Sequence, residues 1–225
     1  MHLLQLKPQE VHIWLADLNI GSKELAKRKN LLNIQELERA DRLQQNQHKH
    51  RFIAARGQLK ILLSRYLDLQ PQKMELAYSD FGKPYLAYHP NLQFNLAHSH
   101  DLAIYAFTIN QAIGVDIEYI RERAPMDVAK RYFNVQEIDD LNQLPEQDRI
   151  SAFFRLWARK EAILKAIGKG LRVPLSSFNV SAHDQTEQIT LENETWILHS
   201  LTIHPHYQAA VASNQIIDEI ITRKC

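Results

Sequence analysis

Apolar residues recur at three- and four-residue spacing in two long stretches of the chain, roughly residues 51–67 and 151–167. This spacing predicts two long amphipathic helices, each with one buried face. Short apolar or alternating runs predict the strands 92–96, 103–109 and 112–117, and later the strands 189–191, 195–203 and 208–212. Helices followed by strands, twice in succession, are typical of an α+β protein.

The two groups of elements resemble each other in sequence. Residues 33–38 (Asn-Ile-Gln-Glu-Leu-Glu) align with residues 134–139 (Asn-Val-Gln-Glu-Ile-Asp), and the alignment continues without a gap into the long helices. A period of about 100 residues is too long for a solenoid. We interpret it as an internal duplication, with chance identity as the alternative. It predicts two related α+β halves, residues 1–110 and 111–225, with the functional residues at the seam where the copies differ.

Composition excludes several classes of protein. The 225 residues carry 27 Lys+Arg and 26 Asp+Glu, and this balance argues against a globally basic nucleic-acid-binding protein. No apolar run approaches a membrane span, and the apolar segment 2–6 ends at Lys7 and Pro8, unlike a signal peptide. The single Cys225 cannot form an internal disulfide. We therefore expect a cytoplasmic globular protein without membrane or nucleic-acid partners, and the duplication favours a monomer.

The near-neutral total hides an uneven distribution of charge. Basic residues clearly outnumber acidic ones between Lys23 and Arg65, whereas acidic residues predominate after Ser181. The basic block could serve phosphate groups or an acidic partner, or it could be a solvated helix face.

Two carboxylates, Asp116 and Glu118, occur at the end of the strand predicted at 112–117. Side chains alternate along a strand, so these two share one face. Neighbouring carboxylates repel each other unless a cation or a proton neutralises them, and such oxygen ligands suit Mg²⁺. The alternative is a strand that ends at the surface, where Asp and Glu are common.

A second polar set lies on the helix predicted at 151–167. Glu161 and Lys165 are one turn apart on one face and could form an ordinary surface ion pair. The apolar residues around them predict a largely buried helix, where a charge needs a partner or a ligand. Glu161 would then complete a metal site with the two strand carboxylates, and Lys160 and Lys165 would flank a phosphate. In the ungapped alignment Glu161 lies opposite Lys60, which indicates that one copy is specialised.

Several motifs occur together in one order along the chain. The main ones are Gly114-Val115-Asp116-Ile117-Glu118, Arg131-Tyr132-Phe133 with Glu137, and Trp157-x-x-Lys160-Glu161-Ala162-x-x-Lys165. Further ones are Gly82-Lys83-Pro84, Phe94-Asn95-Leu96-Ala97-His98-Ser99 and Gly168-Lys169-Gly170-Leu171. Together they resemble the 4′-phosphopantetheinyl transferases of the Sfp type, over about residues 39–178. Many relatives have Ser where this chain has Ala97, which bears on one hydroxyl contact to coenzyme A but not on the reaction.

The resemblance implies an α+β fold of two similar halves related by a pseudo-twofold axis. It also implies a Mg²⁺-dependent transfer of the 4′-phosphopantetheine arm of coenzyme A to a serine of an acyl or peptidyl carrier protein. The products would be the holo-carrier protein and adenosine 3′,5′-bisphosphate. The alternatives are a non-catalytic module that binds coenzyme A or a carrier protein, and a phosphohydrolase that releases the bisphosphate without an acceptor.

Site residues follow from the same resemblance. Glu161 would be the base for the serine proton, and Lys165 would stabilise the pyrophosphate and the leaving group. The expected Mg²⁺ ligands are Asp116, Glu118 and Glu161, and the expected coenzyme A contacts are Arg56, Lys83 and His98.

Overall fold

The computed structural model describes residues 3–183 and 185–225 and has the predicted α+β composition. The helices are α1 (Ser22–Lys29), α2 (Ile34–Asp41), α3 (Asn46–Tyr66), α4 (Met126–Tyr132), α5 (Val135–Gln143) and α6 (Glu146–Ile167). The strands are β1 (Glu10–Asp17), β2 (Ala77–Tyr78), β3 (Pro84–Tyr85), β4 (Leu92–Ser99), β5 (Leu102–Ile109), β6 (Ile113–Tyr119), β7 (Glu187–Leu191), β8 (Glu194–Leu201), β9 (Tyr207–Ser213) and β10 (Glu219–Lys224). The two long helices are confirmed as α3 and α6, and each begins earlier than the apolar spacing predicts.

The strands form two four-stranded sheets and one small hairpin over the described part of the chain. The first sheet has the order β10-β1-β5-β4, the second has the order β6-β9-β8-β7, and β2 pairs with β3. The β10–β1 pair is parallel, and the other pairs are antiparallel. Strand β10 therefore completes the first sheet, although it belongs to the segment 111–225 that the duplication assigned to the second half.

Four layers bury the apolar residues: helix, sheet, sheet and helix. Helix α3 covers the outer face of the first sheet, where Leu59 packs in one cluster with Phe107. Helix α6 covers the outer face of the second sheet, where Ile163 packs in one cluster with Leu198. A third cluster lies between the sheets and includes Ile13, Ile104, Val115 and Val211. Among the described helices, none has an apolar stretch long enough to cross a bilayer.

The short helices α2 and α5 begin with the same capping arrangement. The side chain of Asn33 accepts a hydrogen bond at the start of α2, and the Glu36 side chain accepts one from the Asn33 amide at 3.0 Å. Asn134 and Glu137 repeat this capping box at the start of α5, with the reciprocal bond at 2.8 Å. A capping box satisfies amides that the first helical turn leaves unpaired, so the aligned sequence segments do produce the same local structure.

The two capping glutamates also form equivalent buried ion pairs with the long helices. Glu36 lies 2.8 Å from Lys60 of α3, and Glu137 lies 2.7 Å from Lys160 of α6. The structural counterpart of Lys60 is therefore Lys160, and the ungapped alignment that placed Lys60 opposite Glu161 was wrong by one residue. The reason is that the segment from the capping Asn to the buried Lys is one residue shorter in the second copy.

Candidate active site

Helix α6 lies directly on β6 because residue 114 is glycine. A Cβ atom at Gly114 would stand 2.1 Å from the carbonyl oxygen of Ala162, so only a hydrogen atom allows this approach. The contact brings the neighbouring Glu161 and Lys165 to the face of β6 that carries Asp116. Gly114 had no predicted role of its own, although its place two residues before Asp116 puts it on the same strand face.

Asp116 and Lys165 form an ion pair at this contact. Asp116 is 4% exposed, and its Oδ1 accepts a hydrogen bond from Lys165 Nζ at 2.5 Å. Burial raises the pKa of Asp116, although Lys165 opposes the shift. For Lys165, burial would lower the pKa, but the charge and hydrogen bond of Asp116 raise it above its ordinary value. The second carboxylate oxygen, Oδ2, is buried and has no hydrogen-bond partner among the residues that the structure describes.

Two further carboxylates share this electrostatic environment. Burial first, and then the charge of Asp116, raise the pKa of Glu118 to about 7. The same two causes, in the same order, raise the pKa of Glu161. Ser99 Oγ donates a hydrogen bond of 2.9 Å to Glu118 Oε2. Of the two strand carboxylates, Asp116 is the one whose charge acts on Glu161.

The donor chemistry of these residues fits a hard divalent cation. Across residues 3–183 and 185–225, no group of three or more His, Cys, Asp or Glu side chains is already arranged as a metal site. The unpartnered Asp116 Oδ2 nevertheless offers a buried oxygen ligand. A cation would also relieve the repulsion that raises the pKa values of Glu118 and Glu161. Carboxylate oxygens are the ligands that Mg²⁺ prefers, so the residues fit the expected ion.

A cleft opens beside the ion pair, between the β2–β3 hairpin, α3, β4 and α6. One cavity of about 330 Å³ is lined by residues that include Arg39, Arg56, Tyr78, Ala97, His98 and Lys165. A neighbouring cavity of about 240 Å³ is lined by residues that include Phe81, Gly82, Lys83, Glu161, Lys165 and Gly168. Lys165 lines both cavities, so the cleft is continuous with the carboxylates. The structure places all three residues predicted for coenzyme A in its walls.

Arg56 offers an unsatisfied donor in this cleft. It is largely buried, with Nε 3.8 Å from Glu36 Oε1 and the guanidinium carbon 5.7 Å from the ring centre of Phe52. Its Nη1 is buried and makes no hydrogen bond to the described part of the chain. A buried guanidinium nitrogen without a partner is costly, and an anionic oxygen in the cleft would satisfy it.

Lys83 and His98 have different surroundings. Lys83 Nζ donates to the carbonyl oxygens of Ile113 and Ala166, both at 3.0 Å, and so bridges the hairpin, β6 and α6. Burial lowers the pKa of Lys83 to about 8. His98 is exposed at the cleft. Desolvation of its ring by the protein around it lowers its pKa, and the positive charge of Lys165 lowers it further.

Lys160 does not belong to the site. It is fully buried, and its ammonium donates to the carbonyl oxygens of Leu175 at 2.7 Å and Phe178 at 2.6 Å, in addition to its ion pair with Glu137. The expectation that Lys160 and Lys165 flank a phosphate was therefore wrong for Lys160. Five residues on an α-helix correspond to a turn of roughly 140°, which points the two side chains to different sides.

Comparison of the sequence with known proteins identifies similar ones. A family model described as the 4′-phosphopantetheinyl transferase superfamily matches residues 112–216, the segment that contains β6 and α6. The 4′-phosphopantetheinyl transferase HetI of Nostoc sp. is 36% identical over 214 residues, which cover 93% of this chain and 90% of the relative. The 4′-phosphopantetheinyl transferase Sfp of Bacillus subtilis is 28% identical over 201 residues, with 88% of each chain covered.

The chain belongs to the 4′-phosphopantetheinyl transferase family. This confirms the family that the motifs predicted, and it favours the catalytic interpretation over a binding module.

Proposed function

We propose that this enzyme transfers the 4′-phosphopantetheine arm of coenzyme A to a serine hydroxyl of an acyl or peptidyl carrier protein and releases adenosine 3′,5′-bisphosphate. The observation that carries the proposal is the position of Lys165, which lines a cleft together with Arg56 and His98 and bonds to Asp116, whose charge also acts on Glu118 and Glu161. A cleft with cationic walls and an acidic end suits a phosphorylated nucleotide whose pyrophosphate is the reacting group.

Arg56, Lys83 and His98 are proposed to contact coenzyme A. The Arg56 guanidinium lies near the rings of Phe52 and Tyr78, at 5.7 and 5.9 Å from their centres, which restrains its planar fork. Its Nη1 makes no hydrogen bond to the described residues and is proposed to donate to a phosphate oxygen. Lys83 contributes positive charge from a fixed position, since two of its N–H groups already bond to carbonyls.

Asp116, Glu118 and Glu161 are proposed to hold Mg²⁺. The bound ion would neutralise charge on the pyrophosphate oxygens during transfer. The chain itself supplies the orientation: the Gly114 contact fixes α6 against β6, and Lys165 holds Oδ1 of Asp116, while Oδ2 makes no hydrogen bond to the described residues.

Glu161 is proposed as the base. The serine oxygen attacks the β-phosphorus of coenzyme A, its proton passes to the Glu161 carboxylate directly or through one water, and the bond from that phosphorus to the oxygen of the departing bisphosphate breaks. Burial and the charge of Asp116 raise the pKa of Glu161, and a bound cation would lower it, so the role of Glu161 as the base rests on its position beside Lys165 in the cleft. Lys165, kept charged by Asp116, stabilises the negative charge that develops on the departing oxygen.

We also propose that the two groups of elements are pseudo-twofold halves of one unit. The strand order β1-β5-β4 corresponds to β6-β9-β8, and both groups contain the capping box and the buried Glu–Lys pair. We propose that the halves are approximately residues 1–110 and 111–225, with the carboxylates at their seam, and that the protein is a cytoplasmic monomer that acts without nucleic acid or membrane.

The test is a transfer assay with coenzyme A, Mg²⁺ and a panel of apo carrier proteins, read by intact-protein mass spectrometry. We expect a mass increase of one phosphopantetheine on a carrier protein, no increase when its serine is replaced by Ala, and no transfer when Mg²⁺ is chelated. Release of the bisphosphate without any carrier would indicate a phosphohydrolase instead. Binding of coenzyme A without modification of any carrier would contradict the proposal in favour of a binding module.

A further inference from the structure

The two sheets meet along β4 and β6, where side chains of β4 accept hydrogen bonds from amides of β6. Asn95 Oδ1 accepts from the Val115 amide at 3.0 Å, and Ser99 Oγ accepts from the Tyr119 amide at 3.1 Å. The two acceptors are four residues apart on β4, and the two donors are four residues apart on β6. The two side chains therefore hold the edge of the second sheet in a fixed register against the first.

Ser99 does more at this seam than Asn95. A serine hydroxyl has one proton to donate, and its oxygen is already bonded to the Tyr119 amide. The proton is given to Glu118 Oε2, at 2.9 Å. Because Glu118 and Tyr119 are consecutive residues, the hydroxyl is fixed by one of them and directs its donor at the other.

We infer that Ser99 is a positioning residue that orients the Glu118 carboxylate for a hard divalent cation held together with Asp116. This inference rests on the proposed metal-binding function of Glu118. The charge of Asp116 repels Glu118, and the charge of Arg121 attracts it. The hydrogen bond from Ser99 stabilises the ionised carboxylate, as Arg121 does, and it holds the Oε2 atom in place, as hydrogen bonds to metal-ligating carboxylates generally do.

The position of Ser99 also couples the site to the contact between the sheets. Ser99 belongs to the first sheet, whereas Asp116 and Glu118 belong to the second. The carboxylate is therefore oriented only when β4 is docked against β6.

The test measures Mn²⁺ binding directly, by electron paramagnetic resonance of the free ion in titrations of the full chain. Ser99→Ala should weaken Mn²⁺ binding by about tenfold or more. Ser99→Thr, which keeps the hydroxyl, should restore binding close to that of the wild type. Asn95→Ala, which removes the other seam bond, should lower the thermal midpoint and leave Mn²⁺ affinity unchanged. Unchanged Mn²⁺ affinity in folded Ser99→Ala would overturn the inference.

A second comparison covers the case in which Ser99→Ala does not fold. Ser99→Cys keeps the side-chain shape and weakens the donor, so it should show a loss of Mn²⁺ affinity in the same direction. In a Glu118→Ala background, replacement of Ser99 should cause no further loss, because the two residues act as one unit. Equal losses in both backgrounds would show that Ser99 does not act through Glu118.

The outcomes also separate this inference from the proposed function. If the wild type binds no Mn²⁺, the metal-binding function of Glu118 fails, and the inference about Ser99 fails with it. If the wild type binds Mn²⁺ and Asp116→Ala weakens this binding while Ser99→Ala does not, only the inference about Ser99 is overturned.

Discussion

Lys165 Nζ lies 2.5 Å from Asp116 Oδ1, and this ion pair joins α6 to β6 at the acidic end of the cleft. The pair fixes Asp116 through one oxygen, and the other has no hydrogen-bond partner within residues 3–183 and 185–225. It also keeps a positive charge beside three carboxylates whose pKa values are raised. One lysine thus serves both the geometry of the strand carboxylates and the charge balance of the site.

Replacement of Lys165 by Met should reduce kcat for phosphopantetheine transfer by about 100-fold or more, because a fixed positive charge at the departing oxygen is lost. The initial rate of carrier modification measures this. Lys169→Met is the matched control, since Lys169 is exposed and pairs with Glu192 at the surface. A Lys165→Met enzyme as active as Lys169→Met would contradict the function proposed for Lys165.

Glu161→Gln should leave the fold intact and lower kcat by about 100-fold or more, since an amide cannot accept the serine proton. Circular dichroism checks the fold, and the mass-spectrometric transfer assay measures the rate. Glu146→Gln, a change at an exposed position in the first turn of the same helix, serves as the control. Near-normal turnover by Glu161→Gln would exclude Glu161 as the base.

Gly114→Ala should destabilise the protein by about 1–3 kcal/mol or more, because the new methyl group collides with the α6 backbone and forces the helix away. Urea unfolding provides the free energy of unfolding. Gly21→Ala is the comparison, since a Cβ atom at Gly21 meets nothing within 4 Å; it should cost less than about 1 kcal/mol. Equal stabilities for the two variants would mean that the close approach at Gly114 is not required.

Lys160→Met should lower the free energy of unfolding by about 3–5 kcal/mol, because it leaves the buried Glu137 carboxylate without its charge partner. Removal of the exposed Lys169–Glu192 pair by Lys169→Met should cost less than about 1 kcal/mol. Chemical denaturation of both variants measures the difference. A small loss for Lys160→Met would show that Glu137 is satisfied by its other hydrogen bonds alone.

The pKa of Lys83, lowered by burial to about 8, predicts a dependence of stability on pH. Between about pH 8 and pH 10 the folded protein has released this proton, whereas the unfolded chain still binds it, so stability increases with pH in this range. Relative to Lys83→Met, the wild type should gain about 1–3 kcal/mol from pH 8 to pH 10, at about 1.4 kcal/mol per pKa unit. Urea unfolding at several pH values measures this gain; a constant difference would show that the Lys83 pKa is not lowered.

The parts of the molecule that could be predicted from the sequence are those where a spacing pattern corresponds to one kind of element, a strand or a helix. Alternation along β6 predicted that Asp116 and Glu118 share one face of the strand, and helical spacing along α6 predicted that Glu161 and Lys165 share one face of the helix. The structure confirms the helices and strands that carry these residues. The metal-binding and coenzyme A functions of individual side chains stay predictions.

The missed elements lack such a simple pattern. Strand β1 is buried along nearly its whole length; its first four residues alternate between polar and apolar and the next three are all apolar, so it follows no single pattern. Two of its buried residues are polar, Glu10 and His12, and they bond to each other at 2.5 Å. This pairing satisfies both groups inside the core, and it depends on a contact that the order of residues does not reveal.

Predictions of which side of a helix a residue occupies failed at two points, because each residue along an α-helix turns the side chain by about 100°. Lys160 and Lys165 both belong to the matched motif, but only Lys165 faces the cleft, because helical rotation separates them. The alignment of Lys60 with Glu161 failed for a related reason. The second copy has one residue fewer between the capping Asn and the buried Lys, so an alignment without a gap is shifted by one residue from that point on. Only the buried pair of Glu137 with Lys160 shows the correct register.

Strand β10 has a consequence for the order in which the protein can fold. Its partner β1 precedes it by most of the given sequence, since Glu10 pairs with Glu219, so β1 is synthesised long before β10. Contacts between residues so far apart in sequence form slowly, since a long loop must close first. The first sheet therefore keeps an open edge on β1 until the strands of the second sheet and then β10 have been synthesised, so the first half cannot complete its sheet before the second half is made.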